Sequence, residues 1–284
     1  MQQGQPSITA EWVASMRAAH QERDATPHVL EDPIAARLLT SVQQAERNAQ
    51  AHHLSTAPPL RAFLVARSRY TEDMLARAVA RGARQYVILG AGLDTFAYRN
   101  PYPHVRVIEV DHPATQAWKR ERLAAAGLTP PPSVTFAPVD FATQSLPEGL
   151  AAAGVDRSEA TFFSWLGVTP YLTREAFRAT LAAIAALPKG SGVAFDYMLA
   201  PEALSDAQKR MVEVVSRGVA TVGEPLQLFF RPEALAAELT RAGFTDVEDL
   251  NDAALTERYF TRRADTLRPH DSVGQLVSAW VRGG

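Results

Sequence analysis

The residues with the clearest chemical content lie between positions 87 and 111. Val87-Ile88-Leu89 runs straight into Gly90-Ala91-Gly92, followed by Leu93-Asp94-Thr95. An apolar run ending in Gly-x-Gly reads as a buried strand entering a sharp turn. The two glycines let the main chain bend and let a ligand approach it closely. The usual occupant of such a turn is a nucleotide-like molecule. Asp111 follows the next apolar run, 19 residues beyond Gly92. A carboxylate about 20 residues after the glycines is the acceptor a ribose diol requires. Glu109 competes for that role, since period-2 alternation puts it on the same strand face. Asp111 is preferred because it stands just past the apolar run.

The pattern also discriminates between cofactors. A dinucleotide site asks for a third glycine, and here that position is Thr95. Asp94 would stand beside the pyrophosphate, where a second negative charge is unfavourable. An NAD(P) oxidoreductase is therefore disfavoured. A cationic cofactor with a ribose and no phosphate fits better, and S-adenosylmethionine (SAM) is such a molecule.

These residues need elements to hold them. Tyr86–Leu89, Val105–Val110, Val134–Val139, Thr161–Leu166 and Gly192–Tyr197 read as strands, with helices over Pro113–Ala126 and Arg174–Leu187 between them. Strands alternating with helices specify a mostly parallel α/β sheet covered on both faces. Thr245–Leu250 and Ser272–Val281 are weaker strand candidates, expected to be antiparallel; Pro232–Arg241 reads as a helix closed by Gly243. Upstream, Glu11–His20, Asp32–Leu39 and Leu60–Arg81 read as helices, Asp32 capping the second and Pro33 opening it. The division expected is a helical cap over residues 1–60 that orders as a lid, then a cofactor-binding domain over 61–284 with a helical insertion near 200–222.

Composition bounds the function. Lys+Arg 29 against Asp+Glu 31 gives a formal charge of −2 over 284 residues, against a nucleic-acid partner. Without cysteine there is no thiol nucleophile, disulfide or thiolate metal site. His52-His53 lack the spacing of metal ligands, so no metal is expected. No apolar run reaches membrane-spanning length and Met1–Pro6 lack a signal-peptide pattern, so a cytoplasmic location away from membranes is expected.

Leu89-Gly90-Ala91-Gly92-Leu93-Asp94-Thr95-Phe96-Ala97-Tyr98-Arg99 with Glu109-Val110-Asp111-His112-Pro113 resembles the leucine carboxyl methyltransferase family of class I SAM-dependent methyltransferases. It is most similar to the bacterial branch holding polyketide and other small-molecule O-methyltransferases. Ala66-Arg67-Ser68-Arg69, Val139-Asp140-Phe141, Phe163–Leu172, Asp32-Pro33 and Phe229-Phe230-x-Pro232-Glu233-Ala234-Leu235 extend the resemblance over about residues 11–262. It implies that Arg67 holds the methionine carboxylate, a task a guanidinium fork performs better than an ammonium. It implies that Gly90, Ala91 and Gly92 lie along the cofactor and that Asp111 takes the ribose. Asp140 would accept from the adenine amino group beside Phe141, and Ser164 belongs to the strand-four contact segment. Arg17 is the candidate for the family's N-terminal basic contact. One departure stands out: eukaryotic members carry Glu-Gly where this chain has Leu166-Gly167, so a cofactor contact is lost or replaced.

The resemblance implies methyl transfer to a carboxylate or hydroxyl oxygen of a small molecule. In-line displacement chiefly needs alignment, and a carboxylate acceptor needs no base. Tyr98, Arg99, His112 and Tyr197 are the acceptor-side candidates, with Tyr171 and Phe229 nearby. Trp165, at a strand end, is the one tryptophan placed to act as a substrate platform. Two other readings remain open: a non-catalytic SAM-binding protein, and a protein C-terminal carboxyl methyltransferase, which Leu166 disfavours.

Overall fold

A computed structural model describes residues 8–39, 58–140, 144–221 and 225–281. Helix α1 (Ile8–Arg23) is followed by a short 3-10 turn (Ala35–Leu38) and the long α2 (Pro58–Ala80). Then come β1 (Gln85–Leu89), β2 (Arg106–Asp111), α3 (Pro113–Ala125), β3 (Val134–Pro138), α4 (Leu146–Ala152), β4 (Thr161–Trp165) and α5 (Arg174–Ala185). The chain continues through β5 (Gly192–Leu199), α6 (Asp206–Thr221), β6 (Phe229–Phe230), α7 (Pro232–Ala242), β7 (Phe244–Leu250), α8 (Asp252–Tyr259) and β8 (Gly274–Val281).

Among the described residues these strands make one sheet in the order β3-β2-β1-β4-β5-β8-β7, with β6 beside β5. β1 to β5 run parallel, and β8 enters antiparallel between β5 and β7. β1, β4 and β5 are buried along their whole length, which is why they read as unbroken apolar runs. On one face Ala66, Tyr70 and Leu75 of α2 pack on Tyr86, Phe162 and Trp280. On the other, Leu150, Phe177, Leu181 and Leu239 from α4, α5 and α7 cover Val87, Phe163, Val193 and Val277. Ala14 and Ala18 of α1 join Ile34, Leu38 and Leu93 in a third cluster.

Register fixes the level of the site. Leu89 pairs with Val110, and Asp111 pairs with Pro138. Gly90, Asp111 and Asp140 therefore leave the sheet side by side at its carboxyl edge, where ligands of open α/β sheets bind.

The structure departs from expectation at several elements. Residues 32–39 hold one tight 3-10 turn rather than an α-helix, because Asp32 is pinned beside α1 by Arg17 and its Oδ1 accepts from Ala35 N at 3.1 Å. The helical insertion expected near 200–222 divides into a 3-10 turn at Pro201–Ala203 and α6. Among elements not read from the sequence, α4 begins in a capping box between Ser145 and Glu148, and α8 is capped by Asn251.

Candidate functional site

The glycine turn is built as its spacing requires. Gly90 N and Ala91 N donate to Val110 O at 2.8 and 3.1 Å, so the turn stays hydrogen-bonded to β2 as it leaves β1. Gly90 has φ +71°, and a Cβ there would lie 2.3 Å from Val168 Cγ2. Gly92 has φ +45°, with Ala10 Cβ of α1 only 2.9 Å from its Cβ position. Both demand glycine twice over, by conformation and by space. Asp94 Oδ1 accepts from Phe96 N at 2.7 Å, closing the turn that follows.

Asp111 faces this turn. Its Oδ2 accepts from Gly92 N at 2.6 Å and its Oδ1 from His112 N at 2.7 Å. Burial raises its pKa above the ordinary aspartate value, while those two N–H groups hold it down. An ionised carboxylate has about four acceptor positions, so two backbone bonds leave capacity for a diol. Glu109 is committed elsewhere. It is 0% exposed, Lys119 Nζ of α3 lies 2.6 Å from its Oε2, and Oε1 has no hydrogen-bond partner among the described residues. Burial pushes its pKa up to about 6 against the pull of Lys119.

Arg67 reaches from α2 to the same edge. Its NH1 donates to Asp196 Oδ2 at 2.8 Å, and Asp196 Oδ1 accepts from Gly167 N at 2.6 Å. Arg67 Nε is buried without a partner among the described residues. Sequence reading passed over Asp196. The available signal was an acid within the otherwise apolar Val193-Ala194-Phe195-Asp196-Tyr197-Met198-Leu199.

Asp140 leaves β3 at the expected level, its carbonyl accepting from Gln144 N at 2.8 Å. Phe141 and the pair His52-His53 lie outside the described residues. Ser164 lies on β4 with 2% of its surface exposed. Arg17 donates to Asp32 Oδ2 at 2.9 Å and to Leu93 O at 2.7 Å, tying α1 to the turn's backbone.

The acceptor-side candidates are not brought together. Arg99 is bound by Glu72 of α2, with Thr95 Oγ1 at 3.3 Å and Asp32 Oδ1 at 3.8 Å, so its charge is matched by acids from two other segments. His112 Nδ1 accepts from Ala114 N at 3.2 Å as the cap of α3. Tyr197 is 1% exposed and donates to Asp249 Oδ2 at 2.7 Å, on the sheet face carrying Phe230; successive strand residues point oppositely, so Asp196 faces away from it. Tyr98 OH is buried, without a partner among the described residues, and raised in pKa by burial and by Glu109. Trp165 stacks on Phe177 with centroids 5.4 Å apart and packs on Phe195, so it is core rather than platform.

A separate cleft of about 530 Å³ lies between α2, residues 27–29 and α8. Three of its arginines are already matched, Arg69 by Asp73, Arg258 by Glu248 and Arg263 by Asp265. Among the described residues no group of three or more His, Cys, Asp or Glu side chains could hold a metal, and no helix is long and apolar enough to cross a membrane.

The carboxyl edge fits SAM on its own features. The glycine cradle admits a ligand against bare backbone, Asp111 has acceptor capacity for a diol, and the unpartnered Arg67 Nε suits a carboxylate. Known proteins agree. The family model for leucine carboxyl methyltransferase matches residues 10–185. YktD of Bacillus subtilis, named for SAM-dependent methyl transfer, is 36% identical over 214 residues, 74% of this chain and 69% of YktD. A Mycolicibacterium gilvum protein of the same naming is 33% identical over 224 residues, 76% of this chain and 73% of its own. In fold, the chain is similar to a methyltransferase-class structure from Thermobifida fusca (TM-score 0.61, 15% identity, covering 99% of this chain and 97% of that one). A DUF574-family structure from Streptomyces avermitilis is comparable (TM-score 0.60, 17% identity, 98% of each chain). The chain belongs to the leucine carboxyl methyltransferase family, and it is a SAM-dependent methyltransferase.

Proposed function

We propose that the enzyme methylates an oxygen of a small molecule, and that a carboxylate is the favoured acceptor. The observation that carries this reading is the state of the four acceptor-side candidates. Tyr98 and Tyr197 are phenols raised in pKa by burial, and Tyr197 already donates to Asp249. Arg99 is a permanent cation. His112 Nδ1 accepts a hydrogen bond from Ala114 N–H, so that nitrogen is already engaged. None of the four offers a free base. A carboxylate, ionised at neutral pH, needs none, whereas an alcohol or phenol gains from one.

Arg67, Gly90, Ala91, Gly92, Asp111 and Asp140 are the cofactor-holding residues on this reading, with Phe141 beside Asp140. SAM supplies an electrophilic methyl carbon on a sulfonium. The chain's contribution is to fix that carbon in line with the acceptor oxygen and to exclude water. With SAM bound, the methyl would pass from sulfur to the acceptor oxygen, leaving a neutral thioether and a neutral ester, so Arg67, Asp111 and the glycine turn need only hold the cofactor in line. Leu166, where eukaryotic carboxyl methyltransferases carry Glu, favours a small molecule over a protein C-terminus. The formal charge of −2 over the chain favours a small-molecule acceptor over a nucleic acid.

The test is an acceptor screen with methyl-labelled SAM over aliphatic and aromatic carboxylic acids, phenols and alcohols. Product label released as methanol by mild alkali identifies an ester. Alkali-stable product would move the reading to hydroxyl methylation. Absence of turnover on all classes, with SAM bound, would favour the non-catalytic alternative.

A further inference from the structure

Asp196 is the one charged side chain in β5, Gly192–Leu199, and it is 7% exposed. A carboxylate buried in a strand is costly unless its oxygens are engaged. Here both are, and by two different elements: Oδ2 takes Arg67 NH1 from α2 at 2.8 Å, and Oδ1 takes Gly167 N from the turn after β4 at 2.6 Å. Its own carbonyl accepts from Thr169 Oγ1 at 2.6 Å, binding the same turn again. The Arg67 guanidinium rests against Gly167: a Cβ there would lie 3.2 Å from one terminal nitrogen and 3.3 Å from the other. Gly167 has φ +69°, so this floor must be glycine for conformation and for clearance. The guanidinium is thus clamped at NH1 over a bare backbone floor, while Nε is left without a partner among the described residues.

We infer that Asp196 is a positioning residue that lets the protein recognise the amino-acid end of its cofactor, by holding Arg67 over the Gly167 turn with Nε available to the methionine carboxylate. This rests on the reading that Arg67 is the group that meets that carboxylate. Arginine carries large rotamer freedom, and a pre-set fork loses less of it on binding. A carboxylate at position 196 also answers the departure at Leu166: the edge keeps an acid beside Gly167, supplied from the neighbouring strand.

The test compares two ligands by calorimetry on the full chain. S-adenosylhomocysteine carries the amino-acid part; 5′-methylthioadenosine keeps the adenine, ribose and sulfur and lacks it. For Asp196→Asn we expect at least tenfold weaker S-adenosylhomocysteine binding with 5′-methylthioadenosine changed less than twofold. Arg67→Met shows the same split, and the double variant binds no worse than Arg67→Met alone, as partners in one interaction should. Gly167→Ala, which pushes a methyl against the guanidinium, gives the split independently of charge. Should Asp196→Asn not fold, Asp196→Glu and Gly167→Ala are judged by the same ratio. Equal loss of both ligands in Asp196→Asn, no loss of either, or additive loss in the double variant would overturn the positioning role. If Arg67→Met itself fails to separate the two ligands, the reading of Arg67 fails instead.

Discussion

Lys119 of α3 and Glu109 of β2 face one another with 1% and 0% of their side chains exposed, Glu109 standing two residues before Asp111. Breaking such a pair from one side strands a buried charge at a cost of about 3–5 kcal/mol, while replacing both members by apolar groups is far milder. Lys119→Met is therefore expected to lower the melting temperature by about 10 °C, and Glu109→Leu/Lys119→Met to recover most of it, by calorimetric scanning. Burial pushes the Glu109 carboxyl up to about 6 in the folded chain from an ordinary 4.5. Between those values the folded state binds the proton more readily than the unfolded one, so this group's contribution to stability rises as pH falls through the window. Urea unfolding across that range should show the wild type gaining on Glu109→Gln toward the acid end; a flat difference would contradict it. Gly90→Ala combines a left-handed φ with a methyl 2.3 Å from Val168 Cγ2. It should cost about 2–4 kcal/mol and most SAM affinity. Gly90→Ala/Val168→Ala should regain only the steric part, measured by denaturant unfolding and SAM titration.

At the scale of elements, α1 owes its position to buried guanidiniums. Arg17 joins Asp32 to Leu93 O, and Arg61 of α2 grips Asp24 at 2.6 and 2.8 Å. Arg17→Met takes the nearer cation from the 0% exposed Asp32, leaving Arg99 at 3.8 Å, and frees α1 from the glycine turn. Faster tryptic cleavage at Arg23 and several-fold weaker SAM binding are expected; unchanged cleavage would show that the alanine face of α1 suffices. The same elements show what is legible in sequence. β1, β4 and β5 were readable because burial on both faces writes continuous apolar runs, and Gly90 and Asp111 because they follow the buried stretches of β1 and β2 at one level. α8 was not readable, since Leu255 is its one buried residue and no apolar period forms. β6 spans two residues, too short for any pattern. α4 announces itself through Ser145 and Glu148, yet Pro147 and Gly149 dilute its helical signal. Asp196 escaped because its partner Arg67 is 129 positions away, a distance no local spacing reports. Tyr197 was misplaced because alternation separates the two strand faces without saying which one meets the crevice.

Across the whole molecule, a sheet in the order β3-β2-β1-β4-β5-β8-β7 stands between two apolar layers and delivers one polar edge. Gly90, Asp111 and Asp140 come from three adjacent strands, and Arg67 arrives from α2, which packs on β4 and β5. Family membership establishes the cofactor; the geometry proposes which residues grip it. The proposal is sharpest at Asp111, whose oxygens already bind Gly92 N and His112 N and would also receive the ribose diol. The most direct measurement is calorimetric titration of wild type and Asp111→Ala with SAM and S-adenosylhomocysteine, with circular dichroism to verify the fold. Micromolar binding by the wild type and at least a tenfold loss in a folded Asp111→Ala is the predicted result. Undiminished affinity in that variant would contradict the site as drawn.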